Sequence, residues 1–380
     1  MQTFLLILLL SIHLTAQTQT LQQYIFTNSK ELDIRSKDFN GLGFLDTILK
    51  NKRIVLLGES SHGTEEYSKT KFQIIEYLHD KLGFNVILFE SPMIPGSYIN
   101  LAKDSISTID LVKQSIQSVW HTSTIVQLFN FLRENKMYFD GFDPQFIPSE
   151  YSNLVFSYAL NDYPEIEKQL ISLENKISQS SKAGINNKLR DSISSAYGGL
   201  KSEMEGISFS TPLQNWIKHI VTINTRYYSN LHKGNERDSC MANNLIWLAD
   251  TVYPNERIIV WAHNAHIDKN SSSKARFMGN IISEHFGSQA FTIGLYMING
   301  ETALNNRSII KVKEPAKNSL ESELELRGFK TAFIETDNLS FNKKIKTFHW
   351  GKNIQRLNLY KSYDAVILIN GVSSPTYLTD

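Results

Sequence analysis

Three features of the amino-acid sequence predict an α/β fold: a largely parallel central sheet flanked by helices, with a helical insertion. Short apolar runs, rich in β-branched and aromatic residues, recur along the chain and are typical of strands buried on both faces of a sheet. Segments with helical spacing lie between these runs, and this alternation favours parallel strands joined by helices. One long central stretch contains helical patterns and no strand-like run.

The predicted strands are apolar runs bounded by turns or charged residues. They cover residues 53–58, 85–90, 138–142, 257–261, 290–295, 331–334 and 364–369. The clearest helical patterns cover residues 65–82, 125–135, 237–250 and 273–286. Gly83 follows the first of these patterns and is suited to a helix C-cap, because glycine readily adopts the left-handed conformation that ends many helices.

The composition is that of a folded, cysteine-poor protein. The 380 residues include 39 Lys+Arg and 38 Asp+Glu, and 41% of them are hydrophobic. This content excludes a disordered chain, and the near-neutral charge argues against nucleic acid as a partner, since phosphate binding needs an excess of basic residues. Because Cys240 is the one cysteine, an intramolecular disulfide and a cysteine-based zinc site are excluded.

The chain starts with an apolar run, FLLILLL, at residues 4–10. A bilayer span needs about 20 apolar residues, so this run predicts no stable membrane insertion. It fits the central part of a secretory signal peptide, with Ala16 as the cleavage position. We therefore expect residues 1–16 to be removed and the mature protein to be secreted or periplasmic.

The rest of the chain divides into three parts by composition. Residues 17–149 and 234–380 carry the predicted strands and form the two halves of the α/β domain. Between them, residues 150–233 are rich in Ser, Asn, Lys and Glu and form the helical insertion. The insertion is either a solvated helical hairpin or a lid over a site, and charge alone does not decide between the two.

Several of the predicted strands stop at ionisable side chains. In open α/β sheets, ligands bind beyond the carboxyl ends of the strands, so side chains at these positions face a common crevice. Any one of them has an ordinary explanation, such as a structural histidine or an acidic helix N-cap. Their repetition predicts a shared site. Its members are Glu59, His62, Glu90, Asp143, His263 and His266.

Five sequence blocks resemble the erythromycin esterase family, in that family's order and spacing. They are RIVLLGESSHGTEEY (Arg53–Tyr67), LGFNVILFES (Leu82–Ser91), GFDPQ (Gly141–Gln145), RDSCMANNLIWL (Arg237–Leu248) and WAHNAHI (Trp261–Ile267). The resemblance implies a hydrolase, distinct from the serine α/β-hydrolase fold, that opens the lactone ester of macrolides and so confers macrolide resistance. It also implies His62 as the general base. The active-site partners that it implies are Glu59, Glu90 and His263, with His266 close by.

Lys71 departs from the family pattern. Macrolide-active members can carry an arginine nine residues after the base histidine, where this chain has lysine. Lysine keeps the charge but loses the planar, bidentate recognition of arginine. Lys71 is expected either to bind an oxygen-rich substrate or to pair with a glutamate, and Asp143 and Gln145 are the other candidates for substrate binding. The expected substrate is a small molecule: a macrolide, another lactone or another ester.

Ester hydrolysis needs an activated nucleophile and donors for the developing oxyanion. A histidine side chain can take a proton from water near neutral pH, which is the role expected of His62. Either Glu59 or Glu90 could hold its tautomer and stabilise its cation, as a carboxylate does in hydrolytic triads. His263 and His266 could then donate hydrogen bonds to the substrate carbonyl oxygen.

A serine nucleophile is the first alternative to activated water. Ser60 and Ser61 stand just before His62, between a predicted strand and a predicted helix. The G-x-S-x-G pattern of a nucleophile elbow is not met, and adjacent serine and histidine rarely align for proton transfer. We therefore expect a capping role for these serines.

Two further alternatives involve a cofactor. A divalent metal could be held by Glu59, His62, His263 and His266, which are ligand types that zinc hydrolases use, although the H-E-x-x-H motif is absent. A non-catalytic protein could instead bind haem or another small ligand through a histidine. No cofactor is predicted as obligatory, and the metal alternative stays open.

Some other residues are expected to be structural. Arg237 and Asp238 open a predicted helix and are expected to form a supporting pair, since an acidic side chain suits a helix N-terminus. Trp120, Trp216 and Tyr227 could line a substrate groove, but large aromatic side chains more often pack in a core.

Overall fold

The computed structural model describes residues 20–33, 39, 41–93, 106–145, 150–181, 185–231, 234–270, 276–336 and 344–379. The predicted signal peptide, residues 1–16, lies outside these ranges. None of the helices within them combines the length and the apolar character that crossing a bilayer requires.

The core of the protein is an eight-stranded sheet. Its strands are β1 (Ser29–Glu31), β2 (Ile54–Leu57), β3 (Phe84–Pro92), β4 (Tyr138–Asp143), β5 (Arg257–Trp261), β6 (Ala290–Met297), β9 (Thr331–Glu335) and β12 (Ala365–Ile369). They are ordered β1-β9-β12-β6-β2-β5-β3-β4. The six strands from β12 to β4 are parallel, and β9 runs antiparallel to both of its neighbours. Two hairpins lie outside the sheet, formed by β7 (Glu301–Ala303) with β8 (Ile309–Lys311) and by β10 (Ile345–His349) with β11 (Asn353–Leu357).

Fourteen α-helices occur in the part of the chain that the structure describes. They are α1 (Leu21–Asn28), α2 (Phe44–Leu49), α3 (Glu65–Leu82), α4 (Thr108–Ser115), α5 (Ser123–Glu134), α6 (Glu150–Ala159), α7 (Pro164–Ser181), α8 (Asn187–Glu205), α9 (Pro212–Asn230), α10 (Glu236–Trp247), α11 (Asn264–Ile267), α12 (Met278–Phe286), α13 (Leu320–Glu325) and α14 (Leu359–Ser362).

Helix α3 shows how local sequence sets these boundaries. Glu65 and Glu66 occupy its first turn, where acidic side chains favour the helix dipole, and Gly83 ends it in the left-handed conformation (φ +69°). Ile74 and Leu78 lie four residues apart and are both buried against the sheet. The helix therefore has the predicted bounds, and it leads the chain directly from β2 to β3.

The sheet separates two hydrophobic cores because strand side chains alternate between its faces. In β2, Val55 and Leu57 belong to one core, while Ile54 and Leu56 belong to the other. Helices α6 to α9 pack around a third core of their own, which includes Leu170, Tyr197 and Ile217. The predicted helical stretch 150–233 thus contains four helices, and its role as a lid stays a prediction.

The α/β prediction is confirmed: all seven predicted strands are present, and the central sheet is mostly parallel. The strands that the sequence did not reveal are short or partly exposed, namely β1, β7, β8, β10 and β11. Three helices differ from their predicted bounds. Helix α5 begins two residues earlier than predicted, at Ser123, and ends one residue earlier, at Glu134. Helix α10 passes into a π-helical turn at Leu248–Val252, and α12 begins at Met278, after the undescribed residues 271–275.

Candidate active site

The carboxyl ends of the central strands meet beside a crevice of about 380 Å³, a volume within the range of small-molecule sites. His62 follows β2, Glu90 belongs to β3, and His263 and His266 follow β5. All four of these side chains line the crevice. Residues from more distant elements complete its walls, among them Trp120, Gln145, Arg237, His349 and Trp350. The structure therefore brings together histidines that are about 200 positions apart in the sequence.

Glu59 fixes the orientation of His62. The Nδ1 atom of His62 lies 2.7 Å from Oε1 of Glu59 and donates a hydrogen bond to it, because an ionised carboxylate can only accept. Trp120 donates to the same oxygen from Nε1 at 2.8 Å. Since Nδ1 is engaged, Nε2 is the ring nitrogen that His62 offers to the crevice. Glu59 itself is 1% exposed, so it supports the histidine without contacting substrate.

Lys71 lies beneath the site, and its predicted contact with substrate is wrong. Its side chain is fully buried, donates a 2.7 Å hydrogen bond to Oε2 of Glu59 and lies over the ring of Trp261. Burial lowers the pKa of Lys71 to about 8, although the charge of Glu59 opposes this. Burial would raise the pKa of Glu59, but the charge of Lys71 and the bond from His62 together hold it below the usual value. The alternative that Lys71 pairs with a glutamate is the one that the structure shows.

Arg237 binds two carboxylates at the other end of the crevice. Its Nη2 atom donates to Oδ2 of Asp143 at 2.6 Å and to Oε1 of Glu90 at 2.8 Å, and its Nε donates to Oδ1 of Asp143 at 3.2 Å. Asp143 is 1% exposed and Arg237 binds both of its oxygens, so its charge is engaged within the protein, and substrate binding by this residue stays a prediction. Gln145 is exposed and lines the crevice, so substrate binding by this residue stays a prediction.

His266 is held between two carboxylates. Its Nδ1 lies 2.9 Å from Oδ1 of Asp238, and its Nε2 lies 3.2 Å from Oε1 of Glu90. Burial lowers the pKa of His266, but Glu90 and Asp238 outweigh burial and raise that pKa to about 10. Nδ1 donates to Asp238, and Nε2 lies against Glu90 and against Nη1 of Arg237, which is 3.1 Å away, so neither nitrogen is left for the substrate carbonyl that the sequence analysis assigned to it.

His263 carries a buried hydrogen-bond donor that has no acceptor. It caps the N-terminus of α11, where its Nδ1 accepts from the backbone N–H of Ala265 at 3.1 Å. The proton of the neutral ring is therefore on Nε2, which has no hydrogen-bond partner among the described residues. Burial holds the pKa of His263 well below its usual value, with a further contribution from the charge of His62, so the ring stays neutral. The ring centroids of His62 and His263 are 5.1 Å apart.

Glu90 connects His263 to the charged side chains of Arg237 and His266. Its Oε2 accepts the backbone N–H of His263 at 2.8 Å, while its Oε1 faces Arg237 and His266. Burial would raise the pKa of Glu90, but the positive charges of His266 and Arg237 hold it well below the usual value. Glu90 therefore stays ionised and positions His263, whereas Glu59 is the carboxylate that holds His62.

The sequence analysis named Trp120, which lines the crevice, as a possible groove residue, but it missed the second tryptophan there, Trp350. Trp350 stacks on His263 with ring centroids 5.0 Å apart and presents its edge to His62 at 5.5 Å. It stands at the turn between β10 and β11 with φ +57°, and His349 precedes it. The one local signal was the Trp350–Gly351 pair, a turn sequence between two short alternating runs.

Ser60 and Ser61 face away from the histidines. The Oγ of Ser60 lies 2.7 Å from Oη of Tyr67, and the Oγ of Ser61 lies 2.9 Å from Oγ1 of Thr302. Both serines are buried. A serine nucleophile needs a hydrogen bond to its base, and these hydroxyls bond to other hydroxyls instead.

Two members of the ligand set proposed for a metal, Glu59 and His266, are already engaged within the protein. Glu59 accepts from His62, Trp120 and Lys71, and both nitrogens of His266 face carboxylates. In the ranges that the structure covers, no three His, Cys, Asp or Glu residues are grouped so that they could hold a metal ion. The positive charge of Lys71, which lies 2.7 Å from Glu59, would also repel a metal cation bound at Glu59.

An α/β protein with a carboxylate-held histidine at the carboxyl edge of its sheet has the site of an esterase-like hydrolase. The sequence model of the erythromycin esterase family matches residues 79–372, and the chain belongs to this family. The recognition made from the five sequence blocks is therefore confirmed. The matched range begins after Glu59, His62 and Lys71.

The comparisons with individual proteins agree with this assignment. The chain is 28% identical to the Bacillus subtilis (strain 168) protein YbfO, over 92% of this chain and 90% of the relative. It is 22% identical to an erythromycin esterase type II of Escherichia coli, over 76% of this chain and 82% of that protein. A mutant of the erythromycin esterase EreC in its open conformation has the same fold, with a TM-score of 0.68 and 17% identity over 93% of this chain and 99% of the other.

Proposed function

We propose that the protein hydrolyses a carboxylic ester or lactone by direct attack of water, with His62 as the general base. The observation that carries this proposal is the pairing of two imidazoles with opposite roles. His62 is held by Glu59 so that Nε2 is free to accept a proton, and His263 offers a buried Nε2–H with no acceptor among the described residues. Their rings are in contact, with centroids 5.1 Å apart, and both line the crevice, so an ester carbonyl and a water bound in the crevice can lie beside the two imidazoles.

In the first step, the oxygen of water attacks the carbonyl carbon of the ester and its proton passes to Nε2 of His62. The carbonyl π electrons move to the oxygen, which becomes an oxyanion and accepts the hydrogen bond from Nε2 of His263. Glu59 stabilises the imidazolium that forms, as a carboxylate does in other hydrolytic sites. In the second step the C–O bond to the leaving group breaks, and His62 returns its proton to the departing alkoxide.

The charged side chains of Glu90, Arg237 and His266 hold this geometry in place. Glu90 accepts from the backbone of His263, and Arg237 and the His266 cation neutralise Glu90. Donors that are fixed before the reaction need no reorganisation as the oxyanion forms, which is the main source of catalysis in acyl transfer.

The experiment that tests the function is incubation of the purified protein with erythromycin, simple lactones and aryl esters in water enriched in ¹⁸O. We expect at least one substrate to gain one molecule of water, with a single ¹⁸O in the acid product. Hydrolysis of erythromycin would extend the proposal to macrolide resistance, and hydrolysis of the other esters alone would restrict it to them. A panel in which no substrate gains water at a rate above that without protein would contradict the proposal.

We also propose that the enzyme acts outside the cytoplasm, on the strength of the apolar run at residues 4–10. The full chain should be recovered from the periplasm or medium with a new N-terminus after Ala16. Recovery of the intact N-terminus in the cytoplasmic fraction alone would contradict export.

A further inference from the structure

Glu174, on α7, is a buried acid without a partner. Its side chain is 2% exposed, and neither carboxyl oxygen has a hydrogen-bond partner within the described ranges. A buried polar group without a partner destabilises the fold by about 1–3 kcal/mol, so such groups are rare and usually have a function. The mechanism proposed above does not use Glu174.

Glu174 lines a narrow cavity between the helical stretch and the edge of the sheet. Helices α6, α7 and α9 contribute Phe156, Glu174 and Asn224, and the chain beyond β3 and β4 contributes Met93 and Gln145. Measured in the same way as the crevice, the cavity has a volume of only about 30 Å³. With its open mouth included, the empty space is about 460 Å³. The cavity therefore admits a slender group with a small polar head, and its narrow part holds roughly two waters.

The charges of the cavity favour a cation. Among the described residues, two carboxyl groups line the cavity, those of Asp143 and Glu174, and no lysine or arginine does. Arg237 already neutralises Asp143, so Glu174 is the acid without a counter-charge. Burial raises the pKa of Glu174 well above its usual value, which favours the neutral carboxylic acid when no counter-charge is near. An arriving cation would offset the cost of ionising it.

We propose that this cavity binds an alkylammonium group, with the ammonium nitrogen donating to Glu174 and the alkyl chain lying against Met93, Phe156 and Ile220. An ammonium group is about the size of a water molecule and donates up to three hydrogen bonds. Asn224 lies in the same cavity wall, and since its Nδ2 donates to Tyr197, its Oδ1 can accept another of these hydrogen bonds. The apolar remainder of the wall suits a methylene chain.

The cavity adjoins the catalytic crevice, because Gln145 lines both. If the proposed function holds, one ligand can place an ester beside His62 and an amine beside Glu174. The preferred substrates are then esters or lactones that carry an amino group on a flexible arm. This part of the inference rests on the proposed function, whereas ammonium binding does not.

The binding test uses n-hexylamine and 1-hexanol, which have the same chain and different heads. Isothermal titration calorimetry should show that the wild-type protein binds the amine at least about tenfold more tightly than the alcohol, the value expected for a hydrogen bond to a charged group. Glu174→Gln should remove this preference. Glu165→Gln, on the exposed face of the same helix, should retain it. Equal affinity for the two ligands, or an unchanged preference in Glu174→Gln, would overturn the proposal.

A second measurement needs no variant, in case Glu174→Gln does not fold. The amine arrives as a cation, so the Glu174 proton must leave to the buffer. Titrations at neutral pH in two buffers with different ionisation enthalpies should report release of about one proton per amine bound. The other ionisable groups around Glu174 are Tyr197 of α8, Tyr228 of α9 and Asp143, and burial raises the pKa of both tyrosines, so they stay protonated. Amine binding without proton release would overturn the proposal.

The link to catalysis is tested with two aryl esters of equal length, one ending in an ammonium group and the other in a hydroxyl. The ammonium ester should have the lower KM in the wild type, and the difference should vanish in Glu174→Gln while kcat is retained. Hydrolysis of both esters with equal KM would overturn the role in substrate binding and leave the hydrolase proposal intact. Amine binding without any hydrolysis would support the cavity and contradict the proposed function.

Discussion

Lys71 donates a 2.7 Å hydrogen bond to one carboxylate oxygen of Glu59, while His62 donates to the other oxygen at the same distance. Neither Lys71 nor Glu59 is exposed to solvent beyond 1%. In this buried pair, Lys71 keeps the carboxylate of Glu59 ionised, and that carboxylate supports the general base, His62. The orientation of the general base therefore depends on a lysine that the substrate does not touch.

Replacing Lys71 by Met should destabilise the fold and reduce hydrolysis together. Removing one partner leaves the Glu59 charge buried with too few donors, which typically lowers the free energy of unfolding by about 3–5 kcal/mol. Chemical denaturation measures the change. Lys69→Met is the matched control, since Lys69 is 54% exposed and should alter stability by about 0.5 kcal/mol at most. A Lys71→Met protein as stable as this control would show that the ion pair is dispensable.

The variant His62→Ala should lose activity and keep its fold. Loss of a general base typically lowers kcat by about 10²–10⁴. The side chain is 11% exposed at the wall of the crevice, so its removal leaves little unfilled core. Turnover and circular dichroism are the measurements, with His285→Ala, an exposed histidine on α12, as the control. Comparable turnover in His62→Ala and the control would rule out His62 as the base.

Replacing His263 by Asn separates its capping role from its proposed donor role. Asparagine is a good N-cap and can still accept the backbone N–H of Ala265, but it is too short to replace the Nε2–H. The loss of one oxyanion donor typically lowers kcat by 10²–10³, or about 2.7–4 kcal/mol of barrier. Steady-state kinetics should show this drop with KM nearly unchanged. A rise in KM alone would indicate that His263 binds the ground state instead.

The stability that His266 contributes should disappear at alkaline pH. Its pKa is raised from 6.5 to about 10 in the folded protein, so the folded state holds the proton more tightly than the unfolded state does. The contribution is complete below pH 6.5 and is lost as the pH rises toward 10. The difference in unfolding free energy between the wild type and His266→Gln should therefore shrink over this interval, by about 1.4 kcal/mol for each unit of pKa shift that is realised. Lys71 titrates in both proteins, so its contribution cancels when the two unfolding free energies are subtracted. A difference that does not change with pH would show that His266 is neutral.

Ser60→Ala and Ser61→Ala should both retain hydrolysis within a few-fold. Their hydroxyls bond to Tyr67 and Thr302 rather than to a histidine. Ser60→Ala should lower the free energy of unfolding by about 1–3 kcal/mol, because the buried hydroxyl of Tyr67 loses its partner. A fluorophosphonate should not label the wild-type protein. Labelling that is lost in either variant would establish a serine nucleophile in place of activated water.

The features that the sequence predicted correctly are local. Apolar runs identified the central strands, and Gly83 marked the C-terminal end of α3. The polar residues after β2 and β5 indicated the edge of the sheet where the site lies. The short strands β10 and β11 gave no such signal, because each has only five residues and none of those in β11 is buried.

The roles within the site were less predictable. Sequence reasoning left open whether Lys71 binds the substrate or a glutamate, and it offered Asp143 to the substrate. In the structure Lys71 pairs with Glu59, and Asp143 pairs with Arg237. It also treated Arg237 as a supporting residue of its own helix, although it joins Glu90 to Asp143 across the end of the sheet. A charged residue in a motif has several chemically acceptable partners, and the sequence does not say which of them is within reach.

The sequence by itself determined which segments form strands and helices, and that ionisable side chains follow several strands, because these properties depend on neighbouring residues and on side-chain spacing. Only the tertiary structure decided which of these side chains contact one another. Trp120 donates to Glu59, which is 61 positions away in the sequence. His263 contacts His62, which comes long before it in the chain, and Trp350, which comes long after it. Hydrogen bonds and ion pairs form only within a few ångströms, and distances on that scale are set by how the helices and strands pack.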